Sequence, residues 1–267
     1  MLRPVACAFA VALALPLQAQ ERIPSHCIAL AQGPERIMPA AFGDPLAENT
    51  VRLRYLNHAS FLLETAGGMT AVTDYTGYTG IRDLVPDVVT MNNAHSTHWT
   101  ADPDPRIPHV LPGWGEGPQG ADHRLDLGEM LVRNVTTDVR SYGGVRGNGN
   151  SIFIFEVAGL CIGHLGHLHQ IPTEEDFASI GRLDIVMVPV DGGYTMDVAS
   201  MASVVRRLRS SVVIPMHWFS GASLEIFLAD MAGEFEVVET GLSEIEMSLD
   251  RLPSRPTIMV LEPELLD

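Results

Sequence analysis

The sequence predicts an α/β fold, an αββα sandwich in which two mixed β-sheets pack together and helices lie outside them. Two observations lead to this prediction. Residues 51–172 carry the alternation and turn signals of meanders and hairpins, whereas strand and helix patterns alternate after residue 172. Hydrophobic residues make up 46% of the 267 positions, which is enough to bury one sizeable core, and neither an internal repeat nor a convincing domain boundary interrupts the pattern.

The first 19 residues have the pattern of a secretory signal peptide. Arg3 precedes an apolar run at residues 5–15, and small and polar residues follow up to Ala19, where cleavage is expected. The run is too short to span a membrane. We therefore expect a periplasmic or secreted protein without membrane attachment after cleavage. Residues 20–50 are proline-rich and are interpreted as a lead-in segment, which leaves 51–267 as the domain.

The first half of the domain reads as strands separated by loops. A β-meander is predicted from "VRLRYL", "SFLLET" and "MTAVTD", and a short buried strand from "DVVTM". Residues 99–121 are rich in Pro and Gly and are interpreted as a long loop. A hairpin with Gly128 at its turn is predicted from "HRLDLGEMLVRNVTT", a further loop from "GGVRGNGN", and two strands joined at "AG" from "SIFIFEVAGLCIGHL".

The second half alternates strands and helices. A short helix is predicted from "TEEDFASIG", with Thr173 as its N-cap and its end at Gly181. A buried strand follows from "DIVMVPV", then a core-facing helix from "TMDVASMASVVRRLRSS". The strand "VVIPMHW" and the helix "LEIFLADMAGEF" complete the predicted elements.

Charge and composition exclude several classes of function. The formal net charge of −16 disfavours nucleic acid and anionic membrane surfaces as partners. The sequence contains no lysine, which excludes a Schiff-base lysine, a pyridoxal phosphate site and a Walker lysine. No G-x-S-x-G motif occurs, so a serine-hydrolase elbow is not expected. The expected partner is a small-molecule substrate, and nothing in the sequence indicates the oligomeric state.

Two cysteines remain once Cys7 leaves with the signal peptide. Cys27 and Cys161 could pair in an oxidising compartment and tie the lead-in segment to a core strand. Alternatively, Cys161 is a buried free thiol and Cys27 a separate exposed one. The sequence leaves both alternatives open.

The ten histidines carry the functional signal through their positions. Several fall at the ends of predicted strands, where a rigid scaffold presents chemistry: His58, His95, His98, His164, His167, His169 and His217. Histidine is a common zinc ligand, and three of them leave a fourth position for water or substrate. For His58 a hydrogen-bonding structural role is expected, and for the isolated His26, His109 and His123 a structural role as well.

The order of these segments resembles the metallo-β-lactamase fold superfamily over roughly residues 51–220. The branch that it resembles is the one similar to L-ascorbate-6-phosphate lactonase. The matching segments are "LNHASFLLET", "VTDYTGY", "PDVVTMNNAHSTH", "RGNGNSIFIFE", "LCIGHLGHLHQIPTEED", "DIVMVPVDGGYTMD" and "VVIPMHW". The third segment normally ends in His-x-His-x-Asp-His, and the fifth normally contains His-Leu-Gly-Asp-Leu-Gly-His.

The departures from the family pattern fall on its metal ligands. Relative to the family, Asn93 replaces the first histidine, Thr97 the aspartate, and Thr137 a later histidine. His167 stands where the family has its bridging aspartate. The resemblance therefore implies a rebuilt mononuclear site in which one divalent metal is held by His98, His167 and His217, with His95 as a fourth ligand or beside the site.

The resemblance implies an exported hydrolase in which hydroxide on the metal attacks an ester, lactone or phosphoester. Zinc is the expected metal, and iron or another transition metal is an alternative. The candidates for a catalytic base or a supporting carboxylate are Asp74, Asp138 and Asp191. The residues expected to support the site or to bind substrate are His58, Asn93, Thr97, His164, His169 and Tyr194. For Asp74 and Asp191, formation of a turn is an equally weighted alternative. The alternative function is a non-catalytic descendant that binds a metal or a small ligand.

Overall fold

The structure is a computed structural model that describes residues 44–115, 119–141, 143–219 and 221–264. The predicted signal peptide and Cys27 lie outside these residues, so the cleavage after Ala19 and the state of Cys27 remain predictions. Cys161 is buried and forms a disulfide bond, but its predicted pairing with Cys27 falls outside the described part. Among the described residues, no helix combines the length and apolar character needed to cross a membrane.

One sheet contains six strands, five from the first half of the domain and one late strand. Its strands are β1 (Val51–Asn57), β2 (Ser60–Thr65), β3 (Thr70–Val72), β4 (Val88–Met91), β5 (His109–Pro112) and β13 (Glu244–Met247). Their order is β13-β1-β2-β3-β4-β5. The β1–β3 meander is antiparallel, as predicted, and β3, β4 and β5 run parallel. Parallel strands place their carboxyl ends at one edge of the sheet, where the histidines follow.

The second sheet contains eight strands. They are β6 (Arg124–Asp126), β7 (Met130–Ser141), β8 (Gly144–Val157), β9 (Leu160–His164), β10 (Ile185–Pro189), β11 (Val212–Met216), β12 (Glu236–Glu239) and β14 (Thr257–Val260). The order is β12-β14-β11-β10-β9-β8-β7-β6. Strands β9, β10 and β11 are parallel neighbours, so their carboxyl ends also share one edge.

The main core lies between the two sheets. Leu53 and Phe61 of the first sheet and Phe153, Met187 and Ile214 of the second belong to one fully buried cluster. Successive strand residues point to opposite faces, and the alternate residues of the second sheet, such as Ile154 and Val186, form a separate cluster. The predicted sandwich of two mixed sheets is therefore confirmed.

Three helices cover the outer face of the eight-stranded sheet. They are α1 (Glu174–Ile180), α2 (Val198–Leu208) and α3 (Ala222–Met231), and each buries apolar side chains in the cluster on that face. Thr173 caps α1 with a capping box, and Gly181 ends the helix, as predicted. Asp197 caps α2 by accepting a hydrogen bond from the Ser200 backbone amide.

The outer face of the six-stranded sheet is packed by loop residues. Leu56, Leu62 and Val89 form a buried cluster there, and the partly buried Trp99 and Trp114 pack against it. The predicted loop at residues 99–121 therefore supplies core side chains. It also contains strand β5, which the proline content obscured and which pairs with β4 from His109 to Pro112.

The prediction of a loop at "GGVRGNGN" is wrong. These residues begin the long strand β8, which forms a hairpin with the 12-residue strand β7. The glycines fit because side chains of the partner strand occupy the space beside them: a Cβ at Gly149 would lie 2.4 Å from Val139 Cγ2. A register shift between Thr137 and Val139 marks a bulge at Asp138. The strands β12 to β14 and a 3₁₀ turn (Leu249–Arg251) were not predicted.

Candidate metal centre

The candidate metal centre lies where strand ends of the two sheets converge. His58 follows β1, Asp74 follows β3, and His98 lies in the turn after β4. His217 directly follows β11 and Asp191 closely follows β10, at the carboxyl ends of strands in the other sheet. The two parallel strand sets thus deliver their terminal polar residues to one place, as the sequence predicted.

His98 is held by a buried carboxylate. Its Nδ1 lies 2.6 Å from Asp74 Oδ2, and both side chains are inaccessible to solvent. The other carboxylate oxygen of Asp74 accepts a hydrogen bond from the Asn92 backbone amide at 2.9 Å. Burial raises the pKa of Asp74, but the charge and hydrogen bond of His98 outweigh this and leave it lower than usual. An ionised Asp74 fixes the proton on Nδ1, so His98 Nε2 has a free lone pair.

His217 is held in the same way by Asp191. Its Nδ1 lies 2.8 Å from Asp191 Oδ2, and the carboxylate is buried. The other oxygen, Oδ1, accepts hydrogen bonds from the backbone amides of Gly193, Tyr194 and Thr195 at 2.6–2.9 Å. Burial raises the pKa of Asp191, yet the bonds from His217 and Thr195 lower it well below its usual range. This arrangement directs the Nε2 atom of His217 away from the carboxylate.

His58 joins these two histidines. One ligand nitrogen from each of His58, His98 and His217 lies within 4.8 Å of the others. The His58 Nε2 atom is buried and has no hydrogen-bond partner among the described residues. Burial, together with the nearby His217 and His98, lowers the pKa of His58 to about 3, which keeps the ring neutral. The His58 backbone carbonyl accepts hydrogen bonds from Tyr55 and His217, whereas its side chain makes none among the described residues, so the predicted hydrogen-bonding role of the side chain stays a prediction.

His167 is one hydrogen bond removed from this group. Its Nδ1 lies 2.9 Å from His98 Nε2, and its backbone amide donates to Asn150 Oδ1. Because the proton of His98 is on Nδ1, His167 Nδ1 is the donor between the two rings. Burial and the nearby His98 lower the pKa of His167 to about 2. The predicted ligand His167 is thus at the centre, although the tightest three-histidine group contains His58 in its place.

His95 and His169 lie at the edge of the centre. The His95 ring is exposed, and its centroid is 5.5 Å from that of His167 and 5.9 Å from that of His98. The His169 ring centroid is 4.7 Å from that of His167, but its Nδ1 accepts a hydrogen bond from the Arg140 backbone amide at 2.6 Å. Burial and the Arg140 charge lower the pKa of His169 to about 4.

His164 has a structural role beneath the centre. Its Nε2 donates to the Ala59 carbonyl at 2.7 Å, and its Nδ1 accepts from Asn92 Nδ2 at 3.1 Å and from the Gly166 amide at 3.2 Å. Both ring nitrogens are therefore occupied, so His164 joins the two sheets, which fits the expected role of supporting the site rather than that of binding substrate. A substitution at Gly166 would be obstructed, since its Cβ would lie 2.3 Å from Asn92 Nδ2.

Asn93, Thr137 and Asp138 form their hydrogen bonds with residues outside the ligand group. Asn93 accepts a hydrogen bond from Arg146 at 3.1 Å, and Thr137 accepts one from Asn150 at 2.9 Å. Asp138 accepts the Asn148 backbone amide at 2.9 Å inside the β7–β8 hairpin. Asp138 is therefore reassigned from a catalytic candidate to a hairpin residue, because at the bulge in β7 its carboxylate accepts a bond from the backbone of strand β8. Asp74 and Asp191 are both buried behind histidines, which fits a supporting carboxylate, one of the two roles expected for them, rather than a base.

A cleft of about 370 Å³ opens above the histidines. It is lined by His58, His95, Thr97, His167, Tyr194, His217 and Phe219. Thr97 Oγ1 lies 3.1 Å from His95 Nδ1 on one side of it. Phe219 was not singled out from the sequence, although its position two residues after His217 could have indicated it.

Backbone strain is concentrated at this centre. Of the eight non-glycine residues with positive φ among those described, three belong to it: His58 (45°), Asp74 (45°) and His217 (59°). Residues other than glycine rarely adopt this left-handed backbone conformation, which costs them about 1–3 kcal/mol. Such strain typically persists where it places a functional side chain, here two imidazoles and a carboxylate.

Comparisons with known proteins identify the family to which this chain belongs. A model of the family described as "Beta-lactamase superfamily domain" matches residues 52–217, which is more than half of the chain. A UPF0173 metal-dependent hydrolase from Thermoplasma volcanium is 32% identical over 91 residues, which cover 34% of this chain and 40% of that protein. Another, from Methanosphaerula palustris, is 26% identical over 66% of this chain and 87% of its own length.

A solved structure agrees with the family match. A protein from Thermotoga maritima, described as a Zn-dependent hydrolase of the metallo-β-lactamase superfamily, superposes with a TM-score of 0.57 and 25% identity. The superposition covers 80% of this chain and 100% of the Thermotoga chain. The chain therefore belongs to the β-lactamase superfamily, and its two-sheet sandwich is the metallo-β-lactamase fold that the strand-end motifs predicted.

Proposed function

We propose that this protein is a metal-dependent hydrolase with one divalent metal at the three-histidine group. The observation that carries the proposal is the group itself: nitrogens of His58, His98 and His217 lie within 4.8 Å of one another. The buried His58 Nε2 atom lacks a hydrogen-bond partner among the described residues, which is expected of an atom that binds a metal. The relatives described as metal-dependent hydrolases support the proposal.

The donor set favours zinc. Neutral imidazoles suit zinc, and also iron or copper, whereas magnesium and calcium prefer oxygen ligands. When bound, such a metal supplies Lewis acidity that acidifies water and polarises the bond to be cleaved. A single ion is proposed, because Asn93 and Thr137, which the family resemblance places at further ligand positions, are hydrogen-bonded to Arg146 and Asn150.

The residues around the ligands would position them and hold their protons. Asp74 and Asp191 fix the protons of His98 and His217 on Nδ1, which leaves each Nε2 available. His167 holds a proton at Nδ1 beside His98 Nε2, so metal binding at His98 has to displace this hydrogen bond. His167 could then turn its own nitrogen toward the metal as the fourth ligand.

The proposed reaction is hydrolysis of an ester, lactone or phosphoester in the cleft above the ligands. The cleft volume of about 370 Å³ is suited to a small molecule. The walls provided by Thr97 and His95 offer hydrogen bonds on one side, and Tyr194 and Phe219 offer rings on the other.

A second candidate function is metal or ligand binding without catalysis. One observation favours it: within the part of the chain that the structure describes, the residues that line the cleft include no carboxylate that could act as a base or orient water. The two carboxylates of the centre, Asp74 and Asp191, are both buried behind histidines. Hydrolysis assays on metal-loaded protein decide between the two functions.

The first experiment measures metal content by elemental mass spectrometry on protein purified without a His-tag. We expect about one equivalent of metal, lost in a His98→Ala/His217→Ala double variant and retained in His109→Ala. His109 is the matched control, because it lies on β5 and does not line the cleft. Loaded protein that hydrolyses esters or phosphoesters supports the enzyme. Loaded protein inert toward all of them supports the binding function, and absence of metal after reconstitution contradicts both.

Export is proposed from the N-terminal pattern of an arginine followed by an apolar run. Intact-protein mass spectrometry of material from a periplasmic extract tests it. A mass that corresponds to a chain beginning at Gln20 supports the proposed cleavage after Ala19, and an uncleaved chain found only in the cytoplasm contradicts it.

A further inference from the structure

Two exposed aromatic rings form the mouth of the cleft. Tyr194 and Phe219 are 72% and 61% exposed, and their rings meet edge to face with centroids 5.5 Å apart. The Phe219 ring also lies 5.2 Å from that of His217 and 5.3 Å from that of His58. The aromatic surface therefore begins at the ligand group and extends outward. Exposed apolar surface at a cleft of this kind is typical of a ligand-binding wall.

Among the described residues, no charged side chain lines this cleft. Its seven lining residues are four histidines, a threonine, a tyrosine and a phenylalanine. An anionic group of a substrate that lies beyond the metal would therefore find no arginine to receive it, although arginine is the only strong cation that this sequence offers.

Two arginines contact the segments that flank the cleft, and both donate hydrogen bonds to oxygens of the scaffold. Arg140 donates to the carbonyls of Gly193 and Tyr194 at 3.0 and 3.5 Å and, in a shorter contact, to that of Thr195. It thereby secures the loop that carries Tyr194 at the mouth. Arg146 donates to Asn93 Oδ1 at 3.1 Å and to the Gly149 carbonyl at 3.3 Å. The Nη2 atom of each guanidinium thus serves the scaffold, and neither arginine lines the cleft.

We infer that the substrate is a neutral carboxylic ester or lactone whose acyl portion carries an aromatic or extended apolar group, seated against Tyr194 and Phe219. The inference rests on the proposed function and excludes anionic phosphoesters from the preferred substrates. In the reaction, a water oxygen forms a bond to the acyl carbon and the ester C–O bond breaks. The leaving oxygen takes up a proton from that water, which yields an alcohol and a carboxylic acid.

The test compares four substrates on metal-loaded protein by acid release and phosphate release. They are methyl phenylacetate, methyl acetate, methyl 4-carboxyphenylacetate and phenyl phosphate. We expect kcat/KM for methyl phenylacetate to exceed that for each of the other three by about tenfold or more, since an aromatic contact and an unpaired anion are each worth about that factor. Equal or faster turnover of the carboxylated ester or of phenyl phosphate would overturn the inference.

A variant at the mouth tests the seat itself. In Tyr194→Ala/Phe219→Ala, the ratio of kcat/KM for methyl phenylacetate to kcat/KM for methyl acetate should fall about tenfold, because only the first ester carries a ring to seat. Tyr78→Ala is the matched control, because Tyr78 is also exposed but does not line the cleft. Equal losses for both esters would contradict an aromatic seat. Both mutated rings are exposed, so a thermal melt is expected to show a folded variant.

Binding separates this inference from the proposed function. If no ester is hydrolysed, calorimetric titration of metal-loaded protein with phenylacetamide and with its 4-carboxy derivative still tests the seat. Binding of the neutral amide alone, lost in the double variant, would support the seat while hydrolysis is rejected. Failure of the neutral amide to bind, or equal binding of the carboxylated one, would overturn the inference.

Discussion

Replacing Asp191 with asparagine should block one metal ligand without removing it. Oδ1 of Asp191 accepts three backbone amides, from Gly193, Tyr194 and Thr195, so the asparagine must keep its oxygen at that position. Its NH₂ group then replaces Oδ2 and points at His217 Nδ1, which lies 2.8 Å away. Two donors cannot share this contact. His217 therefore has to accept there and carry its proton on Nε2, the nitrogen that would otherwise bind the metal.

The expected loss follows from the contacts that change. A supporting carboxylate of a metal-ligating histidine is typically worth about 10- to 100-fold in metal affinity. The free energy of unfolding of the metal-free protein should also fall by about 1–1.5 kcal/mol, because a bond to an ionised carboxylate, worth about 1.5–3 kcal/mol, is replaced by a neutral bond worth about 0.5–1.5 kcal/mol. The three backbone bonds to the remaining oxygen should keep the loop in place.

Chelator competition measures the affinity, and long-range ¹H–¹⁵N NMR identifies the tautomer of His217. Asp138→Asn is the matched control, because Asp138 uses one oxygen to accept the Asn148 amide and an asparagine can do the same. We expect that control to bind metal as the unchanged protein does. An Asp191→Asn variant with unchanged affinity and a proton still on His217 Nδ1 would refute the reasoning.

Three further predictions concern the centre and its support. His58→Ala should lower metal affinity at least about tenfold in chelator competition, whereas a merely structural histidine would leave it unchanged. Because the pKa of Asp74 is lowered in the folded state, its contribution to stability is present above pH about 4 and is lost as the pH falls through the folded pKa. The difference in unfolding free energy between the unchanged protein and Asp74→Asn should therefore shrink from pH 7 to pH 3, and a constant difference would contradict this. Gly166→Ala should lose at least about 1–2 kcal/mol in urea denaturation, because φ is +60° and the new Cβ would meet Asn92, while Gly143→Ala, with open space around it, should lose far less.

Most of the fold was predictable because its signals are local. Alternation gave β1 and β2, and the Thr173 capping box marked the start of α1. The elements that were missed depend on distant partners. The residues "GGVRGNGN" form a strand only because β7 is long enough to pair with them, and β5 forms in a proline-rich stretch because β4 lies beside it. Neither dependence can be read from a short window of sequence.

The candidate site was predictable as a place but only partly as a set of ligands. Parallel strands bring their carboxyl ends together, so the convergence of His98, His167 and His217 follows from topology. The inclusion of His58 in the ligand group depends on its left-handed backbone conformation, which places its ring centroid 4.1 Å from that of His217. The reassignment of Asp138 depends on a bulge in β7. Neither feature has a signal in the residue types alone.

The positions of the two carboxylates explain how an all-imidazole centre can hold a divalent cation. Neutral histidines do not offset the charge of the ion, and no acidic residue lines the cleft above them in the described ranges. Asp74 and Asp191 are buried behind His98 and His217, where hydrogen bonds keep both ionised. Two negative charges thus lie one imidazole away from the ligand nitrogens. The two carboxylates therefore balance the charge of a divalent ion without occupying its coordination sites. The open side of the centre then faces the apolar mouth, where an uncharged substrate is expected.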